Sequence, residues 1–552
     1  MEPNSNSDKS KSHHIFAFPF KWDIKTGGKS IEQLDFSERT SLEKFDNLLT
    51  KSGSVWKEDF FEINSPLDYN EYIYFYDFAR EALFADSKNS KTLRQYKYII
   101  ESNTIPLYRI KTVDTKEKCV TYELEIEKIL LTVYFTGVGI LSFHMANHRY
   151  TELNDILRIN EFGRHIYPQF LNKHDEFPEL TRCTKEAFLA DSLEIVFDKK
   201  KKFESDFKCF DTIDSAKKNK NTLSNTIMGV LGNSFHTDEL KKEKEGIRIS
   251  PILDDRLFVF CWIADKAFCK ELANYKKKEE EYNYTYDDDW YKLVFIDKSS
   301  PSCNSIPMKK KLLTEHTYDR WIGTEWSSLF GITRYSFILL NDSEKTFFKD
   351  HFKTMYFRMV LLSLVQRASI LRFSSEATYI ANMEESENTS DKLRKLQKKY
   401  LQFINKIYFR EITAIEQGIE LYEKIIKAMN IERDVKALDQ EIEELHNYVS
   451  LQEENRRNDL LQKITIIGSL FLIPAFISGF FGMNIFSNVL DVGAPSRLIT
   501  IVMVMLIACF ISWLLFTRHD RMKKPLLIGL VFFEILIIFL LLSGCFFSLL
   551  GV

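Results

Sequence analysis

Hydrophobic and polar positions alternate in three regimes along this chain. Up to about residue 342 they mix in short runs. Val120-Thr121-Tyr122-Glu123-Leu124-Glu125-Ile126 alternates with period two, the pattern of a half-buried strand. Ile129 to Phe135 and Ile140 to Met145, parted by Gly137-Val138-Gly139, predict an antiparallel hairpin. Arg256 to Ile263 and Arg334 to Leu340 read as further strands, and Tyr69 to Phe84 and Thr151 to Tyr167 as helices. The expectation for 1–342 is an α+β domain.

From 343 the apolar period lengthens to that of a helix. One helix is predicted from Glu344 to about Ile380, with an apolar centre, Met359 to Val365, bracketed by Arg358 and Arg367. Leu393, Leu396, Tyr400, Phe403 and Ile407 form a heptad set. Ile412, Ile415, Ile419, Tyr422, Ile426 and Met429 form a second set, offset by a stutter within the same predicted helix. After a break near Asn430, the seam resumes at Val435, Leu438, Ile442, Leu445 and Val449. Neither Gly nor Pro interrupts Glu432 to Ile467. A continuous helix of about 55 residues, roughly 80 Å long, is therefore expected, paired antiparallel with its predecessor as a stalk over 343–463.

Past Lys463 charge almost disappears. Three apolar runs, 464–486, 498–516 and 526–550, each approach or exceed the roughly 20 residues that cross a bilayer. Arg456, Arg457 and Lys463 precede the first, and Arg518, His519, Arg521, Lys523 and Lys524 separate the second from the third. The positive-inside rule then puts the N-terminal domain in the cytoplasm and the C-terminus outside an inner (plasma) membrane. The fold class predicted is an α+β cytosolic domain, a long helical stalk, and α-helical transmembrane segments in a module over 464–552.

Composition narrows the function. The net charge of −3 over 552 residues gives no case for direct nucleic-acid binding. The eight cysteines include no Cys-x-x-Cys pair, so reduced, buried thiols are expected rather than a zinc ribbon. A Gly-rich phosphate loop, a His-Glu-x-x-His helix and a nucleophile elbow are all missing from the text, so neither catalysis nor a cofactor is expected. His144 and His148 lack a third ligand, and Asp287-Asp288-Asp289 reads as an exposed turn.

The first apolar run carries Thr465, Gly468, Leu472, Ala475, Gly479 and Gly482 on one helix face. Such small side chains make either a packing seam or a pore lining. The run closes on Gly482-Met483-Asn484. A ring of Asn484 carboxamides would offer neutral oxygen dipoles to a cation that keeps its water shell, which suits Mg²⁺. Asp491 is the acidic residue of the following loop, and Glu534 is a buried carboxyl candidate in the third run, read as structural.

A Gly-Met-Asn triplet after a very long helix and at the end of an apolar run resembles the signature of the CorA superfamily of divalent-cation channels. The resemblance covers about Glu344 to Trp513 and implies a homo-oligomer, five subunits in the family, with Mg²⁺ as permeant or regulatory ion. The third run, and Ile485 to Asp491 in place of the family's Met-Pro-Glu stretch, depart from its pattern. His14-Ile15-Phe16-Ala17-Phe18-Pro19-Phe20-Lys21-Trp22 and Tyr318 to Leu339, including Gly331-Ile332-Thr333-Arg334-Tyr335-Ser336, further resemble CorA-like proteins associated with type III CRISPR systems. That second resemblance implies an antiviral effector opened by a nucleotide-derived messenger, a conjugate of S-adenosylmethionine with AMP or a cyclic oligoadenylate. Such a ligand wants aromatic surface and guanidinium donors. Arg158, Arg164, Trp321, Trp326 and Arg334 are the residues of the domain chosen for that role. Two rival readings stand beside it: a constitutive Mg²⁺ uptake channel gated by Mg²⁺ through Asp434, Asp439 and Glu443, and a membrane-anchored receptor that does not conduct.

Overall fold

The structure is a computed structural model. It describes residues 11–482 except 26–33, 52, 88–89, 101–103, 114–118, 168–188, 199, 208–213, 215–222, 238–244, 254–255, 278–279, 343–345 and 384–386. The chain forms two units, 1–447 and 448–552.

The first unit is built around the strand Ser12–Lys25. It is buried at nearly every position and carries an apolar run from Ile15 to Phe20, so it is covered on both faces. On one edge it pairs antiparallel with Val138–Asn147, and on the other with Phe258–Ala264 and Gly246–Pro251. Among the described residues it belongs to a mixed sheet of fourteen strands. Beyond Val138–Asn147 come Cys119–Tyr134, Leu107–Val113, Ser192–Val196 and Lys202–Asp206. Beyond Phe258–Ala264 come Ser336–Asn341, which pairs with it in parallel, then Ser328–Ile332 and Thr317–Tyr318.

Strand alternation sends His14 and Phe16 to one face and His13, Ile15 and Asp23 to the other. The helix Leu153–Arg164 covers the first. There His14 Nδ1 bonds Asn160 Oδ1 at 2.8 Å, and a Cβ at Gly163 would lie 2.5 Å from the Phe16 ring, so only glycine lets the helix sit this close. The helix Phe357–Ala381 covers the second, where His144 packs edge-on against Phe357 with ring centroids 4.7 Å apart.

Asp23 is buried within this interface and is met by two cations. Arg39 Nη1 donates to it at 2.9 Å and Arg372 Nη2 at 2.5 Å. Arg39 also donates to Glu376 at 2.6 Å, and Arg372 lies 3.2 Å from the same carboxylate. Two guanidiniums and two carboxylates thus close a neutral cluster across the strand, the helix Phe36–Arg39 and the helix Phe357–Ala381. Burial alone would raise the Asp23 carboxyl, but Arg372 and Arg39 outweigh it and hold it below the usual carboxylate value.

The expected hairpin forms, with Cys119–Tyr134 and Val138–Asn147 joined through Gly137 at φ +76. A Cβ there would also meet Thr40 Cγ2 at 2.7 Å. The helix expected over Tyr69 to Phe84 divides into Pro66–Ile73 and Asp77–Leu83. The one expected over Glu344 to Ile380 begins as Thr346–His351, passes through a π turn at Phe352–Tyr356, and continues as Phe357–Ala381. The stuttered heptads belong to two helices, Glu387–Lys406 and Glu416–Ala428, with an irregular link. That link is pinned by Gln366, whose Nε2 donates to Ile407 O at 2.8 Å. Asp287 is no open turn: its side chain caps the helix Asp288–Phe295 by accepting from Trp290 N at 2.7 Å. Cys261 and Cys269 are buried and burial pushes the Cys261 thiol up to about 12, whereas Cys119 is exposed.

The long helix runs from Ile431 to Gly482 without interruption, 52 residues and about 78 Å. Val435, Leu438 and Ile442 of its predicted seam are buried. The transmembrane part of the expected fold class is corrected, however. Among the described residues no helix is long and apolar enough to cross a membrane. This helix is charged through most of its course from Glu432 to Lys463, and its described apolar portion stops at Gly482. The runs 498–516 and 526–550, with Glu534, lie outside the described residues. The fold is a large mixed-sheet domain with helices, and the expected inner-membrane placement with a cytoplasmic N-terminus and an outside C-terminus is corrected in the same way, since no helix among the described residues could anchor it.

The cluster gives a direct test. Arg372→Ala leaves the buried Asp23 and Glu376 charges half-neutralised and should cost about 3–5 kcal/mol, the usual penalty for one orphaned buried ion partner. Urea unfolding followed by tryptophan fluorescence reads this as a lower midpoint with an unchanged slope.

Candidate functional site

A cavity of about 450 Å³ opens in the first unit where four helix ends and a β-turn meet. Its floor is the end of the helix Leu153–Arg164 and the start of the strand region at Arg256. One wall is Phe295 and His316, the last turns of Asp288–Phe295 and Ile306–His316. The opposite wall is the C-terminal turn of Glu416–Ala428, with Lys424, Lys427 and Ala428, followed by Asn430. Thr333-Arg334-Tyr335, the turn between Ser328–Ile332 and Ser336–Asn341, forms the rim.

Each cation is positioned by the local fold. Arg164 is buried, donating from Nη2 to Glu161 Oε2 at 2.7 Å, one turn back along the helix. Burial would raise the Glu161 carboxyl, but Arg164 first and His165 next bring it down to about 2. His165 itself, 3.2 Å from Glu161, is held below its ordinary value by burial. Arg256 lies over the Tyr335 ring at 4.8 Å, with Arg367 near the same ring at 5.5 Å. Arg367 Nη1 also donates to Arg334 O at 2.9 Å, which fixes the turn. Lys424 donates to Thr317 O, and burial followed by the neighbouring Lys427 lowers its ammonium, with Asp319 opposing. His316 Nδ1 bonds Ile332 O at 2.7 Å and its ring meets Phe295 edge-on at 5.4 Å. Three arginines and two lysines thus line the cavity with one carboxylate, Glu315, Arg164 being already paired with Glu161 beneath it. The chemistry of this arrangement is anion binding, with an aromatic wall.

Of the residues chosen from the sequence, Arg164 and Arg334 come together here. Arg158 lies over Phe162 at 5.6 Å instead, and is not in the lining. Trp321 and Trp326 are exposed and lie elsewhere, Trp321 beside Arg320 and Trp326 against Phe347 and Phe348. Sequence reasoning missed Arg256, Lys424, Lys427, Tyr335 and His316. Lys424 and Lys427 carried a signal, an i,i+3 basic pair closing a predicted helix, and Tyr335 stands next to Arg334; Arg256 and His316 converge only through the tertiary fold.

The second set of chosen residues belongs to the long helix. Thr465, Gly468, Leu472, Ala475, Gly479 and Gly482 are all helical, and the first five are exposed. Met483, Asn484 and Asp491 lie outside the described residues. Of the acidic residues weighed for Mg²⁺ gating, Asp434 pairs with Arg433 at 2.8 Å and Asp439 accepts from Tyr400. Glu443 is exposed. His144 is fully buried and His148 lies 3.5 Å from Glu125. Among the described residues no group of three or more His, Cys, Asp or Glu could hold a metal ion.

Residues 368–519 match the family described as CorA-like Mg²⁺ transporter protein, a little over a quarter of the chain. The matched stretch takes in most of the helix Phe357–Ala381, the whole of Ile431–Gly482, and the triplet Gly482-Met483-Asn484. No curated protein matches the chain.

The Glu161 pair predicts a pH response with a definite sign. A carboxyl whose folded value is depressed stabilises above its unfolded value and loses that contribution as pH falls from about 4.5 toward about 2. His165, buried and lowered, adds a loss that begins below its ordinary value of 6.5. Thermal midpoints measured between pH 7 and pH 3 should fall, and Glu161→Gln should flatten the part of the curve below about pH 4.5.

Proposed function

We propose that the protein moves divalent cations in the manner of a CorA-type channel. The observation that carries the reading is the CorA-like match at 368–519, which spans the long helix and ends beyond the triplet. In this reading Asn484, with Gly482 and Met483 shaping the turn, holds a hydrated cation through carboxamide oxygens. Thr465, Gly468, Leu472, Ala475 and Gly479 line the path, and Asp491 adds charge beyond it. Mg²⁺ is the permeant ion the family name suggests. CorA-type function assigns transport rather than catalysis to the chain.

The working unit is a homo-oligomer. Ile464, Ile467, Phe471 and Leu472 stand exposed on the single chain, and a helix with this much bare apolar surface gains by packing against copies of itself. The α+β domain 1–342 acts as a sensor joined to the stalk 343–463, and an adenine-containing messenger of antiviral signalling is the ligand it answers to. The anion-binding chemistry around Arg164 and Arg334 supports a charged ligand. Self-gating by Mg²⁺ is less well supported, because Asp434 and Asp439 already have partners within the chain.

Purified full chain, incorporated into liposomes loaded with a Mg²⁺-sensitive dye, is expected to admit Mg²⁺. Asn484→Ala should reduce that flux at least about tenfold, the scale of losing one charge-assisted ligand interaction per site, while leaving the oligomer's mass unchanged by light scattering. Equal flux in the two proteins would remove Asn484 from the selecting site.

A further inference from the structure

The cavity is joined to the long helix through one residue, Asn430. Its backbone is left-handed at φ 55, a conformation that side chains other than glycine's adopt at a cost and asparagine tolerates best. With this twist the helix Glu416–Ala428 ends and Ile431–Gly482 begins: Asn430 N donates to Lys427 O at 3.1 Å, and Asn430 O accepts from Asp434 N at 3.1 Å. The carboxamide serves both sides. With the amide oriented so that both neighbours are satisfied, its nitrogen donates to Lys427 O at 3.3 Å and its oxygen accepts from Arg334 Nη2. Arg334 is thus at once a rim cation and a tether for the first turn of the long helix.

We propose that the cavity binds a small anion bearing at least two phosphate charges, and that this anion draws Arg334 away from Asn430, so that occupancy is read at the start of the long helix. Guanidiniums fork onto phosphate oxygens in a way that a neutral carboxamide cannot match, so a phosphate outcompetes Asn430 for the same donors. Arg164, held by Glu161, and Arg256 add positive charge to the lining, and Lys427 adds an exposed one. A volume of about 450 Å³ admits a nucleotide-sized ligand, with Phe295 and His316 as the surface for an organic group. The binding stands on the cavity alone; its consequence for transport rests on the channel reading above.

Calorimetry on the full chain at low salt tests the site with pyrophosphate, ADP and adenosine. Pyrophosphate and ADP should bind, more weakly as salt rises, and adenosine should not. Arg334→Gln and Lys427→Gln should each weaken pyrophosphate by about tenfold, the value of one charged hydrogen bond. Lys427 is exposed, so its variant keeps the test valid if Arg334→Gln folds poorly. Hydrogen exchange then reads the coupling: pyrophosphate should speed exchange of the amides of Ile431 to Asp434. Asn430→Gly keeps the left-handed backbone without strain and removes only the carboxamide. This variant should bind pyrophosphate at least as tightly as the parent, with the exchange response gone. No pyrophosphate binding, equal binding by adenosine, or undiminished binding in both charge variants overturns the site. An unchanged exchange pattern in the parent, or the same response in Asn430→Gly, overturns the coupling. Both measurements are made without cation flux, so a failure of transport leaves them standing.

Discussion

A strand buried on both faces has no solvent to turn to when its sequence places a charge, and Asp23 is such a charge. An uncompensated carboxylate in this position would cost several kcal/mol, so its cations must come from whatever packs on that face. They come from Arg39 and Arg372, and Glu376 returns the pair to neutrality. Such a cluster adds little net stability over an apolar replacement, but it is selective in where it forms. Only one placement of the helix Phe357–Ala381 along the strand brings Arg372 to Asp23 and Ser369 to Thr136, at 2.8 Å, in the hairpin turn. The same helix carries Arg367, which anchors the turn of Arg334. Register fixed at Asp23 is therefore carried along one rigid helix to the rim of the cavity.

Much of the fold was legible where one physical rule governed a segment. Alternation and a glycine-bearing turn gave the hairpin of Cys119–Tyr134 and Val138–Asn147, and an unbroken apolar seam gave the long helix from Ile431. Legibility failed where tertiary partners decide. The heptads resume after a stutter between Ile407 and Ile412, which reads as one continued helix, yet the chain leaves the helix there because Gln366 and Tyr422 capture its backbone, Tyr422 Oη donating to Phe409 O at 3.0 Å. Pattern within one segment cannot anticipate an acceptor supplied from another helix.

The candidate site follows the same division. Arginine and aromatic chemistry could be chosen from composition, and Arg164 and Arg334 do share a cavity. Trp321 and Trp326 were chosen by residue type, and the sheet directs them elsewhere. Arg256 reaches the cavity because Phe258–Ala264 and Ser336–Asn341 run in parallel, a pairing that joins residues 77 positions apart in the chain and leaves no local trace. The triplet Gly482-Met483-Asn484 is the reverse case: three consecutive residues, readable at once, whose proposed role depends on their place after a long helix.

The central position of Ser12–Lys25 has a consequence for how the molecule is made. Its partner on one edge, Val138–Asn147, is translated more than a hundred residues later, and its partner on the other, Phe258–Ala264, more than a hundred after that. At synthesis rates of about 5–20 residues per second, an apolar strand with two open edges must wait on the order of ten seconds or longer for its neighbours. Such a strand is a template for pairing with the wrong chain throughout that interval. The histidines His13 and His14, the proline at Pro19 and the charges of Lys21, Asp23 and Lys25 work against that misuse before the sheet closes around it.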